Sequence, residues 1–227
     1  MVVRLCALLM LAILSGPAFA QDAAQADAPT ALESLMEAIR AREVATVTIV
    51  LAQKPNLNTS KNSFDQSALG LAANIGFVEG VKLLINAGAN VNAVDESGMT
   101  PLFHCVLAWD IFLGNGVPIK NDPMNERKRT KNVRAAAMLL LKAGAQVNFA
   151  DPETGETVLH RAASAGHIDL INVLVAAKAD IALRDRAGAT AFDRLTALAQ
   201  NIERFQTAAV AGILKTLKPR PPRKLTR

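Results

Sequence analysis

Apolar residues gather in short blocks along this chain, Leu83-Leu84-Ile85, Leu139-Leu140-Leu141 and Val173-Leu174-Val175, and each block runs into a polar turn: NAGANVNA, KAGAQVNFA and AKADIALRD. Ahead of the blocks lie the compact pairs Ala72-Ala73, Cys105-Val106 and Ala162-Ala163, with Gly76 and Gly166 in between. This order predicts pairs of short helices. The first helix of a pair is thin enough for a neighbour to stack closely, and the second carries the leucine-rich core face. Gly88 and Gly144 stand where a left-handed residue ends the second helix. Lys178 replaces that glycine in a later unit, at a cost of about 1 kcal/mol if the backbone is kept.

Each first helix is announced by a hydroxyl residue. Ser67, Thr100, Thr157 and Thr190 are separated by 33, 57 and 33 residues, so one interval is too long by 24. The hydroxyl caps free backbone N–H groups, and Pro101, at a first helical position, loses no hydrogen bond. Around Thr157 the segment reads Gly-x-Thr-x-Leu-His-x-Ala-Ala-x-x-Gly-His, through His160, Gly166 and His167. This resembles the ankyrin repeat, whose period is about 33 residues. The resemblance implies an all-α solenoid of about five stacked helix-turn-helix units with short hairpin or turn fingers.

The units are placed at about residues 31–58, 59–93, 94–149, 150–182 and 183–217, so the repeat domain covers 31–217. The first, LMEAIRAREVATVTIVLAQKPNLN, keeps the helix-helix-Asn-x-Asn skeleton without the threonine start, and its Thr46 and Thr48 are expected to face outward. In the second, Gly70 fills the histidine slot; in the third, Phe103 fills it, with His104 beside it. The extra residues fall in the third unit, at about 107–131, between its two helices. Apolar Leu107, Ile111 and Phe112 continue the first helix, Gly114-Asn115-Gly116 breaks it, and Asp122-Pro123 restarts a second. A helical pair longer than its neighbours fits this pattern, and a disordered insert around the charged NERKRTK run is the alternative.

Charge and composition add an address. The 227 residues are 51% hydrophobic and carry a formal charge of +5. Residues 1–20 pair Arg4 with the apolar run 5–14 and end in Ala18-Phe19-Ala20, the pattern of a cleavable secretory signal peptide. A buried first helix fits badly, because Ser15-Gly16-Pro17 interrupts it. Pro17 stands where a lipidated cysteine would be, so no membrane anchor is expected. Cys6 leaves with the leader, which makes Cys105 the only remaining thiol and excludes an internal disulfide. A bacterial periplasm is the expected location, with secretion as the alternative. Residues 21–30 read as a flexible linker, and 218–227, with three prolines and five basic residues, as an unfolded tail.

No metal-ligand spacing, nucleophile elbow or phosphate-binding glycine loop occurs, so no catalytic residue, metal or cofactor is expected. His160 and His167 occupy structural slots of the family, with Thr100, Pro101, Thr157 and Gly166. The resemblance implies a protein partner, bound on a concave surface of fingers and first-helix ends. Its candidate contacts are Asp95, Glu96, Ser97 and Met99, then Glu153, Thr154 and Glu156, then Arg186 and Ala189, with Asn74, Ile75, Ser164 and Ala165 on the helices. Trp109 and Phe112 add a candidate surface in the insertion, where aromatic residues lie near arginine. The basic insertion and tail offer a different function, binding of anionic surfaces or acidic ligands. The basic run lacks interleaved aromatics, so nucleic acid is not expected, and the chain is expected to be a monomer. Cleavage after Ala20 should leave a mature chain beginning at Gln21, and an intact mass retaining Met1 in exported material would contradict this.

Overall fold

A computed structural model describes residues 30–58, 66–114, 123–201 and 208–218, with the side chains at 108–114, 123–127 and 129 outside that description. The chain divides into two units, Met1–Thr30 and Ala31–Arg227. The leader and linker, the loop at 59–65, the insertion loop at 115–122 and the tail at 219–227 lie outside the described residues.

The second unit is built from helices taken in pairs. In chain order these are α1 (Ala31–Ala41), α2 (Val44–Ala52), α3 (Ala68–Asn74), α4 (Val78–Asn86), α5 (Pro101–Gly114), α6 (Pro123–Lys142), α7 (Val158–Ala165), α8 (Ile168–Ala176), α9 (Ala191–Asn201) and α10 (Ala208–Leu217). First helices stack on first helices, in the order α1, α3, α5, α7, α9, and second on second, α2, α4, α6, α8, α10. Among the described residues there is no strand, only a bridge between Ala150 and Thr157. An all-α repeat stack results. The third pair is the long one, 14 and 20 residues against 7 and 9 in the second.

The stacking is close because the facing residues are small. Ala72, Ala73, Cys105, Ala162 and Ala163 are fully buried between first helices, while Leu84, Leu140, Ile171 and Leu174 fill the space beneath the second helices. The helix starts follow from capping: the Ser67 and Thr157 side chains accept the N–H groups of Gly70 and His160, three residues on.

Helix ends show what residue types alone leave open. Gly76 and Gly166 are left-handed at the end of first helices, and Arg42 (φ 58°) takes the same place in repeat one. Gly88 and Gly144 end second helices in that conformation, and Lys54 (φ 54°) and Lys178 (φ 64°) do so in repeats one and four. An L side chain at such a φ is disfavoured by roughly 1 kcal/mol. The backbone thus keeps the repeat geometry and accepts the strain. Lys54→Gly and Lys178→Gly should each raise unfolding free energy by about 1 kcal/mol in urea titration. Arg42→Gly should not, because the Arg42 guanidinium also donates to the Ile75 carbonyl of repeat two.

Candidate functional site

Between the pairs the chain makes fingers that lead into α5, α7 and α9, each rooted in an aspartate. Asp95 Oδ1 accepts the Ser97 and Met99 N–H groups at 3.0 and 2.8 Å. Asp151 Oδ1 accepts those of Glu153 and Thr154 at 2.7 and 3.0 Å, and Asp185 Oδ1 that of Ala189 at 2.9 Å. Neighbouring fingers touch. The Arg186 N–H donates to Thr154 O at 2.9 Å, and its guanidinium to Pro152 O at 2.6 Å.

A second polar layer ties finger roots to first helices. Arg194, one helical position past the histidine slot, donates to Asp185 Oδ2 through Nε at 2.9 Å and also through Nη2, and reaches Glu156 Oε1 at 3.2 Å. Glu156 Oε2 in turn lies 3.3 Å from Arg161 Nε. His104 holds the place of Arg194 in repeat three, and its Nε2 is 2.6 Å from Asp95 Oδ2, both side chains 4% exposed. Gln66 completes the imidazole at 3.2 Å from Nδ1. Burial raises the Asp95 pKa, but the His104 hydrogen bond, the Met99 and Ser97 N–H groups and the His104 charge together hold it below the usual aspartate value. At Asp185 burial likewise opposes, and the hydrogen bond from Arg194 does most to lower it.

The histidine slot itself is filled in different ways. His160 Nδ1 accepts the Thr157 N–H at 3.2 Å, and Nε2 lies 3.1 Å from both the Leu183 and Ala189 carbonyls of the following finger. That places the proton on Nε2. Phe103 instead meets Phe149, at the position equivalent to Leu183, edge to face with centroids 6.4 Å apart. Gly70 leaves the slot empty of a side chain, and His104 occupies the space: a Cβ on Gly70 would lie 2.9 Å from its Cδ2. In repeat five, Asp193 Oδ2 accepts the Thr190 N–H and hydroxyl, both at 2.8 Å.

The structure sorts the expected contact residues. Glu96, Ser97, Glu153, Thr154 and Arg186 are exposed on successive fingers. Asp95 and Glu156 turn their side chains inward into the polar layer, where they shape the fingers. Ala165 is buried, whereas Met99, Ala189, Asn74, Ile75 and Ser164 are half-buried. Ser164 Oγ is enclosed and has no hydrogen-bond partner among the described residues. Trp109 and Phe112 lie on α5, but their side chains fall outside the described residues. Thr46 is half-buried, while Thr48 faces water. Reasoning from sequence also missed an amide ladder across the turns. Asn58 Oδ1 accepts the Asn90 N–H at 3.0 Å, Asn92 Oδ1 that of Gln146 at 2.8 Å, and Asn148 Oδ1 that of Asp180 at 2.8 Å. The recurring Asn-x-Asn was its only signal.

The buried nucleophile is unreactive by its surroundings. Cys105 is fully enclosed, and burial pushes its thiol up to about 12, so no thiolate forms near neutral pH. Among the described residues no group of three potential metal ligands converges, and no helix is long and apolar enough to cross a membrane.

Aspartate-rooted fingers on a stack of helix pairs define a repeat scaffold. Models of the family described as "Ankyrin repeats" match residues 35–112 (3 copies) and 140–195 (many copies), more than half of the chain together. Human cyclin-dependent kinase inhibitor 2A is 31% identical over 154 residues, 66% of this chain and 83% of that protein. The human ankyrin repeat and SOCS box protein 16 is 33% identical, over 57% of this chain and 24% of its own. The mouse B-cell lymphoma 3 protein homolog is 34% identical, over 52% and 21%. The chain thus spans only about a quarter or less of the latter two. It belongs to the ankyrin repeat family, whose repeats indicate protein partners.

His167 supplies a pH dependence. Burial pushes its pKa down from 6.5 to about 4, so in that window the unfolded chain binds a proton that the fold does not. Stability is therefore complete above about pH 6.5 and falls as pH drops toward 4, by up to about 3 kcal/mol. Asp95, Asp185 and Asp193, all with lowered pKa, lose their contribution only below the usual aspartate value of 3.8. Denaturant titrations of a His167→Gln variant should show the limb between pH 6.5 and 4 flattened and the limb below it kept.

Proposed function

We propose that this protein is an exported, noncatalytic binding module of a bacterial periplasm, delivered there by the leader at residues 1–20, which holds a protein partner on its fingers and so protects or inhibits it. The observation that carries the reading is the division of labour in the fingers. Asp95, Asp151, Asp185 and Glu156 are spent on internal bonds, while Glu96, Ser97, Glu153, Thr154 and Arg186 stay exposed on a surface already held in shape. A preorganised surface loses little entropy on binding. Human cyclin-dependent kinase inhibitor 2A, of which this chain covers 83%, is named as an inhibitor of a kinase, and blocking an enzyme by binding is the mode of action assigned here.

A second reading draws on Lys128, Lys131 and Arg134, which are exposed along α6. These residues and the basic tail would bind anionic surfaces or acidic ligands. Salt separates the two, since contacts between exposed charges are screened beyond about 8 Å at physiological ionic strength.

The immobilised mature chain should capture a defined protein from a periplasmic extract, and retain it in high salt and after removal of residues 218–227. The triple change Glu96→Lys, Glu153→Lys and Arg186→Glu should weaken that capture by about tenfold or more while the chain still melts cooperatively. Exchange of residues 109–131 for the short turn of repeat two tests Trp109 and Phe112 separately. Capture that disappears in salt, or on tail removal alone, would favour the anionic-surface reading.

A further inference from the structure

Repeat one forms one end of the stack, and α2 is not built as a closing surface. The left-handed residues Lys54, Gly88 and Lys178 put α2 in register with α4 and α8. Ile49 then corresponds to Leu83 and Val173, and Val44 to Val78 and Ile168. Val173 is 9% exposed and Leu83 and Ile168 pack against the core, whereas Ile49 is 65% and Val44 45% exposed. Position 49 is thus covered in the inner repeats, by Leu83, Leu139 and Val173, and open in α2, while position 44 is open in α2 as its counterpart Arg134 is in α6.

The adjoining solvent face has changed as well. Where α4 presents Glu79, Lys82 and Asn86, and α8 presents Asp169, Asn172 and Ala176, α2 presents Ala45, Thr48 and Ala52, all exposed. The Thr48 hydroxyl donates to Val44 O and that of Thr46 to Glu43 Oε2, both at 2.8 Å. Covering this face would strand neither donor. The end repeats of a solenoid ordinarily turn a polar face to water. The other end does so, with exposed Asp193, Gln200 and Lys215, and with Thr196 in the place of buried Ala163.

We propose that the α2 face is the interface of a twofold dimer, in which it meets the same face of a second copy, in place of the monomer expected from the sequence. Charge selects this occupant. Positions 44, 45, 48, 49 and 52 carry no charge, so two copies desolvate none on meeting. The border carries both signs, Arg40 and Glu43, both exposed, and a twofold axis can set the acid of one copy against the base of the other. Head-to-tail stacking would cover the exposed charges Asp193 and Lys215 of the far end with an uncharged face, which disfavours it. Cover from the chain's own start is also poor: if export removes residues 1–20, QDAAQADAPT remains, with two aspartates and no apolar residue larger than proline.

Sedimentation of the chain beginning at Gln21, from about 1 to 200 μM, tests this. A concentration-dependent dimer is expected, with a Kd in the micromolar range. Ile49→Lys and Val44→Glu should each leave a monomer at every concentration with melting unchanged, and Ala211→Lys at the far end should leave the dimer intact. A chain monomeric throughout overturns the proposal, as does a dimer that survives both α2 variants. Because the test uses a chain started at Gln21, failure of leader cleavage would count against export and leave the dimer result standing.

Discussion

Each repeat of this protein can bury its apolar face only on its neighbours, and everything else follows from how closely those neighbours approach. First helices meet through Ala38, Ala72, Cys105 and Ala162, all nearly or fully buried. Side chains of this size let the backbones come close, and each added methylene would be felt along the stack. The same enclosure explains Cys105. Its thiol is a space-filler on a crowded helix face, and the burial that makes it useful there also keeps it protonated.

Close stacking leaves polar backbone at finger roots and turns that needs partners, and the chain meets that need with a few interchangeable solutions. The slot occupied by His160 in repeat four bonds the next finger's carbonyls. In repeat three the same two positions are joined by an aromatic contact, Phe103 with Phe149. In repeat two a glycine yields the space to His104, which binds Asp95 as Arg194 binds Asp185. Departures from the repeat pattern at Gly70 and His104 are thus one event seen at two positions. An exchange of Gly70 for a larger residue must displace the imidazole.

These internal bonds decide what is left for a partner. A carboxylate that accepts backbone N–H groups and faces His104 or Arg194 already has its partners, and withdrawing it toward a ligand would break those bonds. The side chains of Ser97 and Glu153 on the finger tips are exposed outside this polar layer. The two ends of the stack differ as well, since one shows Val44, Ala45, Thr48, Ile49 and Ala52 while the other shows Asp193, Gln200 and Lys215 beside Ala208, Ala209 and Ala211.

Periodicity by itself determined the helix pairs, their order, the caps at Ser67 and Thr157, and the extra length in repeat three, because these depend on residues near one another in the chain. That the fingers are the exposed part came from the family resemblance. What it left undecided depends on neighbours that the register alone does not rank. Asp95 and Glu156 read as surface acids until His104, Arg161 and Arg194 are brought against them from the helices. Arg42 and Lys54 read as ordinary helix-end cations until the stack imposes glycine's backbone on them. The exposure of Ile49 is likewise invisible in the sequence, where it looks like any core isoleucine, because only the tertiary structure shows that no described helix lies over it.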